Sequence, residues 1–176
     1  RQRQMCIRDR CLSAGGKGMN DALNTKILLT LYKRIPEEIR RNEKKVLKIA
    51  SRSFYGYGAA ETMKTYEKII DMNDEKIRLI NLKLLIDKAF NLLVSEDMRV
   101  IIMRFIKGLT FQEMADELDV SIRQVFRLYD TAITSFTTQL EYLKFPQEKI
   151  AAEFGDLMIY KETCFRLSNE YGVMDY

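Results

Sequence analysis

The sequence predicts an all-α protein, a helical bundle whose C-terminal half carries a helix-turn-helix. Three observations point there. Apolar residues recur at helical spacing along most of the chain, as in Leu23, Ile27, Leu31 and Ile35. Only two prolines occur in 176 residues. Thr110 and Ser121 each precede an apolar run and are followed three positions later by Glu113 and Gln124, the pattern of residues that close a helix N-terminus.

The first ten residues, RQRQMCIRDR, have no apolar face and no helical or strand period. They resemble a reading frame through a transposase-based sequencing adapter, matching it at all ten positions. Codons for Ala14, Gly15 and Gly16 can contain a bacterial ribosome-binding sequence at a normal distance before Met19, so Met19 is the expected initiator and 1–18 a non-native leader. The remaining 158 residues suit one domain or two small helical ones, in three stretches: an N-terminal helical region 19–93, a helix-turn-helix 94–145 and a helical tail 146–176.

The formal charge of +4 lies wholly in the leader, and the rest balances 24 basic against 24 acidic residues. Total charge therefore gives no argument for nucleic acid. Local charge is uneven, with nine basic and four acidic side chains over 19–60, which could face phosphates or simply solvent. With Cys6 and Cys11 set aside, Cys164 is expected to be a lone thiol in a reducing, cytoplasmic setting. No apolar run approaches the ~18 residues of a membrane span. Histidine is absent, which removes the commonest general base and metal ligand. No phosphate-binding glycine loop, nucleophile–base arrangement or metal-ligand spacing appears, so no enzyme, metal or cofactor is expected.

The first helix should run through Leu23–Ile35, and Pro36 should open a second, basic helix, because proline suits a first helical position. SFYGYG then interrupts the pattern at Gly56 and Gly58; Phe54, Tyr55 and Tyr57 could stack on bases, but folding onto the core is the favoured reading. From Ala59 to Leu93 a long helix or helix pair follows. Tyr66, Ile70, Asn73, Ile77, Ile80 and Leu84 alternate in steps of four and three, which permits a homodimer seam. Ile69, Met72, Leu79, Leu82, Leu85 and Ile86 widen the apolar surface beyond a strict seam, which favours burial within the same chain.

Ser95 should cap a helix with Glu96 and Asp97 in its first turn, Met98, Ile101, Ile102 and Phe105 on its apolar face and Gly108 as its stop. Thr110 and Glu113 should form a capping box for a short helix with Met114, Ala115 and Leu118 inward. Asp119 tolerates the left-handed turn. Ser121 and Gln124 then launch a long helix buried through Val125, Leu128, Tyr129, Ala132, Phe136, Leu140 and Leu143. Two helices joined by so short a turn make a helix-turn-helix, and the second helix of that motif enters the major groove at its start. The DNA-facing set is then Ser121, Ile122, Arg123, Gln124, Phe126 and Arg127. Arginine suits guanine or phosphate, glutamine suits adenine, and the apolar pair suits a thymine methyl. Thr110 and Gln112 stand at the positive end of the first helix, with Arg104 and Lys107 as further phosphate contacts.

The run LTFQEMADELDVSIRQVFRLYDTAITSF resembles region 4 of bacterial sigma factors, through Leu109, Thr110, Glu113, Ala115, Leu118, Val120, Ser121 and Val125. The chain is also similar to small phage or mobile-element regulators that carry only this region. The resemblance covers Ser95 to Leu143 and implies double-stranded DNA and RNA polymerase as partners. Asp119 departs from the family, standing where glycine is common, and residues 94–145 carry a net charge of −2. Residues 19–93 show no counterpart of an aromatic promoter-melting region.

Two functions fit. One is a sequence-specific transcriptional regulator; the other is a helical interaction module that binds polymerase or another protein without reading DNA, which the acidic balance of the motif would suit. The tail places Ile150, Ala151 and Phe154 on one face after Pro146 and should pack back on the bundle. Three basic against six acidic residues speak against a DNA-binding tail.

Overall fold

The computed structural model describes residues 17–53 and 59–170, with side chains for 22–51 and 61–169. Residues 1–16 of the expected leader 1–18 and the aromatics of SFYGYG lie outside the described residues, and Lys17 and Gly18 begin the first helix. Every regular element among the described residues is helical: α1 (Lys17–Ser53), α2 (Ala59–Asn91), α3 (Ser95–Ile101), α4 (Phe111–Leu118), α5 (Ile122–Tyr142), α6 (Gln147–Phe154) and α7 (Met158–Glu170). A π-helical turn, Ile102–Lys107, continues α3. The all-α helix-turn-helix fold expected from periodicity and caps is the fold observed.

Packing divides the chain into two units. One unit joins the described part of Arg1–Lys33 to Leu85–Tyr176; the other is Arg34–Leu84. Both long helices therefore contribute to both units. The first unit holds the helix-turn-helix. In it Ile27, Leu28, Leu29 and Leu31 of α1 are fully buried, as are Ile86 and Ala89 of α2. Phe90 sets its ring edge-on to Phe136 at 5.4 Å and tilted to Tyr32 at 5.2 Å, and the Tyr32 hydroxyl donates to Asp87 at 2.7 Å.

The tail packs into this unit as expected. Ile150, Phe154, Leu157 and Leu167 are buried, Gln147 donates to the Thr25 hydroxyl at 3.2 Å, and Tyr160 donates to Asn24 at 3.4 Å. Burial pushes the Tyr160 phenol up to about 12. Cys164 is buried and disulfide-bonded, contrary to the expectation of a lone thiol. That expectation rested on setting aside Cys6 and Cys11, which lie outside the described residues.

In the second unit Asn42 donates to the Met72 carbonyl at 3.0 Å and Lys76 pairs with Glu43 at 2.7 Å. Two expectations fail here. Pro36 does not open a helix; it lies inside α1, two residues after the point where the helix passes from the first unit to the second. An internal proline costs ~3 kcal/mol through its missing N–H and its clash with the preceding turn. Burial of Leu31 and Ile35 in the turns just before it offsets that cost. The alternating seam of α2 is also not buried within the chain: Tyr66 is 62% exposed, Ile70 44%, Ile77 53%, Ile80 36% and Leu84 51%. The residues that widen the apolar surface are the ones covered, with Leu79, Leu82, Leu85 and Ile86 buried.

Candidate nucleic-acid interface

The site is built by the end of α3, the short α4 and the start of α5. Val94, and not Ser95, occupies the cap position of α3, with extended backbone and no side-chain bond; Ser95 is the first helical residue. Glu96 and Asp97 fill the first turn as expected. The π-helical turn then shifts which side chains face inward. Val100, Ile101 and Met103 are buried, whereas Met98, Ile102 and Phe105 are only half-buried. Gly108 ends the turn at φ 79°, a backbone conformation that glycine enters without Cβ strain.

Arg104 is held inside this turn. Its guanidinium donates to the Leu109 carbonyl at 2.9 Å and lies 4.7 Å from the centre of the Phe111 ring. Lys107 pairs with Glu117 of α4 at 2.9 Å. Both cations named from sequence as phosphate contacts thus have internal partners, and both tie the turn to α4.

The α4 N-terminus is closed by the expected capping box. The Thr110 hydroxyl accepts from the Glu113 amide at 3.3 Å, and the Glu113 carboxylate accepts from the Thr110 amide at 2.7 Å and from its hydroxyl at 2.8 Å. These bonds hold the Glu113 carboxyl below its ordinary range, the backbone bond contributing most. Gln112 is exposed on the same turn and reaches Asp116 at 3.2 Å. Met114 and Ala115 are buried; Leu118 is half-buried. Asp119 adopts the left-handed conformation at φ 52°, and Val120 donates back to the Ala115 carbonyl at 3.1 Å, which fixes the turn.

At α5 the Ser121 hydroxyl accepts from the Gln124 amide at 3.3 Å, the first half of the expected capping box. Val125, Tyr129, Ala132, Phe136 and Leu140 are buried as expected, Leu128 and Leu143 are half-buried, and Ile133 joins the core. The opposite face of the first two turns presents Arg123, Gln124 and Arg127 to solvent, flanked by Ile122 at 41% and Phe126 at 45% exposure. Six residues expected to share one surface, Ser121 to Gln124 with Phe126 and Arg127, are exposed together.

An aromatic ladder missed by sequence reasoning joins these pieces. The Phe126 and Phe111 rings lie 4.5 Å apart, Phe111 meets Tyr129 edge-on at 5.2 Å, and Phe105 stacks on Tyr129 at 6.2 Å. Phe111 touches Arg104 on α3's extension and Phe126 on α5, so one half-buried ring on α4 contacts both of its neighbours in the motif. The i, i+3 spacing of Phe126 and Tyr129 was the available signal. On the far side of Tyr129, Lys26 lies 5.6 Å from the ring centre. Burial lowers the Lys26 pKa and the Asp130 carboxylate partly restores it.

Residues 60–142 match the family model for ECF sigma factors, a family of non-enzymatic transcription regulators that act with DNA and RNA polymerase. The match takes in nearly all of α2 and the whole helix-turn-helix, which makes this part of the chain sigma-factor-like. No curated protein and no solved structure gives a significant match. Among the described residues no helix is long and apolar enough to cross a membrane, and no cluster of potential metal ligands occurs.

Proposed function

We propose that the protein is a sequence-specific, DNA-binding transcriptional regulator that inserts the start of α5 into the major groove. The observation that carries this reading is the exposed face of Ile122, Arg123, Gln124, Phe126 and Arg127, presented by a helix whose other face is locked through Val125 and Tyr129. A rigid helix with two arginines and a glutamine at its N-terminal turns has the donors that read guanine and adenine edges. Phe126 keeps one side for Phe111 and offers the other to a thymine methyl.

Phosphate contacts fall to Gln112 and Ser121, each with a donor left beside its bond to Asp116 or Gln124, and to Arg104 and Lys107. Thr110 already uses both its hydroxyl and its amide on Glu113, so its part is to hold the α4 N-terminus in place. Arg104 and Lys107 each spend one donor on Leu109 and Glu117 and keep other N–H groups for phosphate. The motif's net charge of −2 makes its own attraction for random DNA low and the salt dependence of that attraction shallow. Such a protein works in the cytoplasm and with a partner that adds affinity, of which RNA polymerase is the one its sigma-factor-like sequence suggests. The net acidity of the motif favours the second reading, an interaction module that docks on polymerase alone.

The test is selection of randomised duplexes by the full chain. A single enriched sequence supports DNA reading; no enrichment at any protein concentration, with polymerase binding intact, establishes the second reading instead.

A further inference from the structure

On α2 the exposed seam of Tyr66, Ile70, Asn73, Ile77, Ile80 and Leu84 has a use that DNA reading does not require. Its spacing keeps a strict alternation of three and four, and Met63, 60% exposed, extends it one step toward the N-terminus. In heptad terms Met63, Ile70, Ile77 and Leu84 fall at one core position and Tyr66, Asn73 and Ile80 at the other. The seam spans three heptads, ~32 Å of helix at 1.5 Å per residue. We infer that this face pairs with the same face of a second copy of the chain, forming a parallel two-stranded coiled coil.

Three observations favour a second copy. A heptad stripe, unlike the broad stripe that faces a globular core, is the pattern that keeps one helix against another along its length. The core-facing stripe of α2 is a different set, Leu79, Leu82, Leu85 and Ile86, and it is already buried. The area also suffices: six apolar side chains, each about half exposed, offer on the order of 500 Å2 per copy, so pairing removes on the order of 1,000 Å2, the size at which a contact qualifies as an interface.

Orientation follows from Asn73 and the flanking charges. Parallel alignment sets Asn73 against Asn73 of the other copy, where two amides satisfy each other. The flanking pairs become Thr62 with Glu67, Ile69 with Asp74 and Lys76 with Asn81, and a like-charged pair, Lys83 with Lys88, arises only at the Leu84 end. An antiparallel pairing centred on Glu75 puts Asn73 against Ile77, Asp74 against Asp74 and Lys76 against Lys76. The buried polar mismatch and the like charges disfavour it. Parallel pairing brings both Leu84 ends to one end of the coil, where each chain enters its helix-turn-helix unit, and a two-fold symmetric protein reads two half-sites.

The test is sedimentation equilibrium of the full chain, without DNA or polymerase, across the micromolar range, on the parent and on an Ile70→Asp/Ile77→Asp variant. Both substituted side chains are solvent-exposed, so helix content by circular dichroism should be unchanged. The expected result is a dimer whose dissociation constant rises at least about 100-fold in the variant. A parent that stays monomeric throughout, or a dimer indifferent to the two aspartates, overturns the inference. Alignment is read separately with Asn73→Cys: under oxidation, covalent dimer beyond the parent's background supports parallel pairing, and its absence in a non-covalent dimer refutes it. Because DNA enters none of these measurements, their failure leaves the function proposed above untouched.

Discussion

Removing the ring of Phe111 tests whether the aromatic ladder sets the geometry of the helix-turn-helix. Phe111→Ala deletes the contacts with Phe126 at 4.5 Å and Tyr129 at 5.2 Å, and the stack under Arg104 at 4.7 Å. Each aromatic pair contributes ~0.5–1.5 kcal/mol beyond its area, and a cation over a ring at a part-exposed site ~0.5–1 kcal/mol. Half-burial of the ring adds ~1 kcal/mol. The contributions overlap, so the expected loss is about 2–4 kcal/mol, just under the range for a fully buried phenylalanine. Phe126→Ala, which loses one ring contact from a 45% exposed position, should cost only about 1 kcal/mol. The assay is urea unfolding of the full chain followed by tyrosine fluorescence and far-ultraviolet circular dichroism. A Phe111→Ala loss below about 1 kcal/mol, or equal losses for the two variants, would show that the ladder does not hold the motif.

Further outcomes follow from the same geometry. Arg123→Ala and Arg127→Ala should each weaken specific DNA binding by ~1–3 kcal/mol in fluorescence anisotropy while leaving thermal unfolding unchanged, because both side chains are exposed. Thr110→Ala should cost ~0.5–2 kcal/mol of stability, read by urea unfolding. It should also raise the Glu113 pKa toward its ordinary value, read by carbon-detected magnetic resonance. The folded-state pKa of Glu113 lies below its unfolded value, so its contribution is present above the unfolded pKa and lost as pH falls through the folded one. That acid-side loss should shrink in Thr110→Ala. Gly108→Ala should cost ~1–2 kcal/mol, since φ is 79° while nothing lies within 4 Å of the added Cβ, so the penalty is backbone strain alone. Asp119→Gly, at φ 52°, should be neutral or stabilising in the same unfolding assay.

The motif itself was readable in the sequence because its determinants are local. Thr110 with Glu113, Gly108, Asp119 and Ser121 each act within a few residues, and each does what its chemistry predicts. What failed depends on distant packing. Pro36 signals a helix start by its own preference, and only burial around Leu31 and Ile35 makes a continuous helix the lower-energy choice. The π-helical turn adds one residue to its hydrogen-bonded ring, so the inward positions expected for a regular helix gave Phe105 where Met103 belongs. On α2 two apolar faces compete, and periodicity says nothing about which one the rest of the chain covers. The bonds of Arg104 to Leu109 and of Lys107 to Glu117 close across the turn, and residue spacing does not announce them. The exposed set at α5 was legible because Val125 and Tyr129 fix the buried face and leave the others outward.

The central claim is that the start of α5 reads bases. It is tested most directly by the ratio of affinities for a selected duplex and a scrambled one of equal length, measured at near-physiological salt for the parent and for the Arg123→Ala/Arg127→Ala variant. The account predicts a large ratio in the parent that collapses toward one in the variant, with affinity for the scrambled duplex falling far less. A parent ratio near one, or a ratio the double substitution leaves intact, would contradict it.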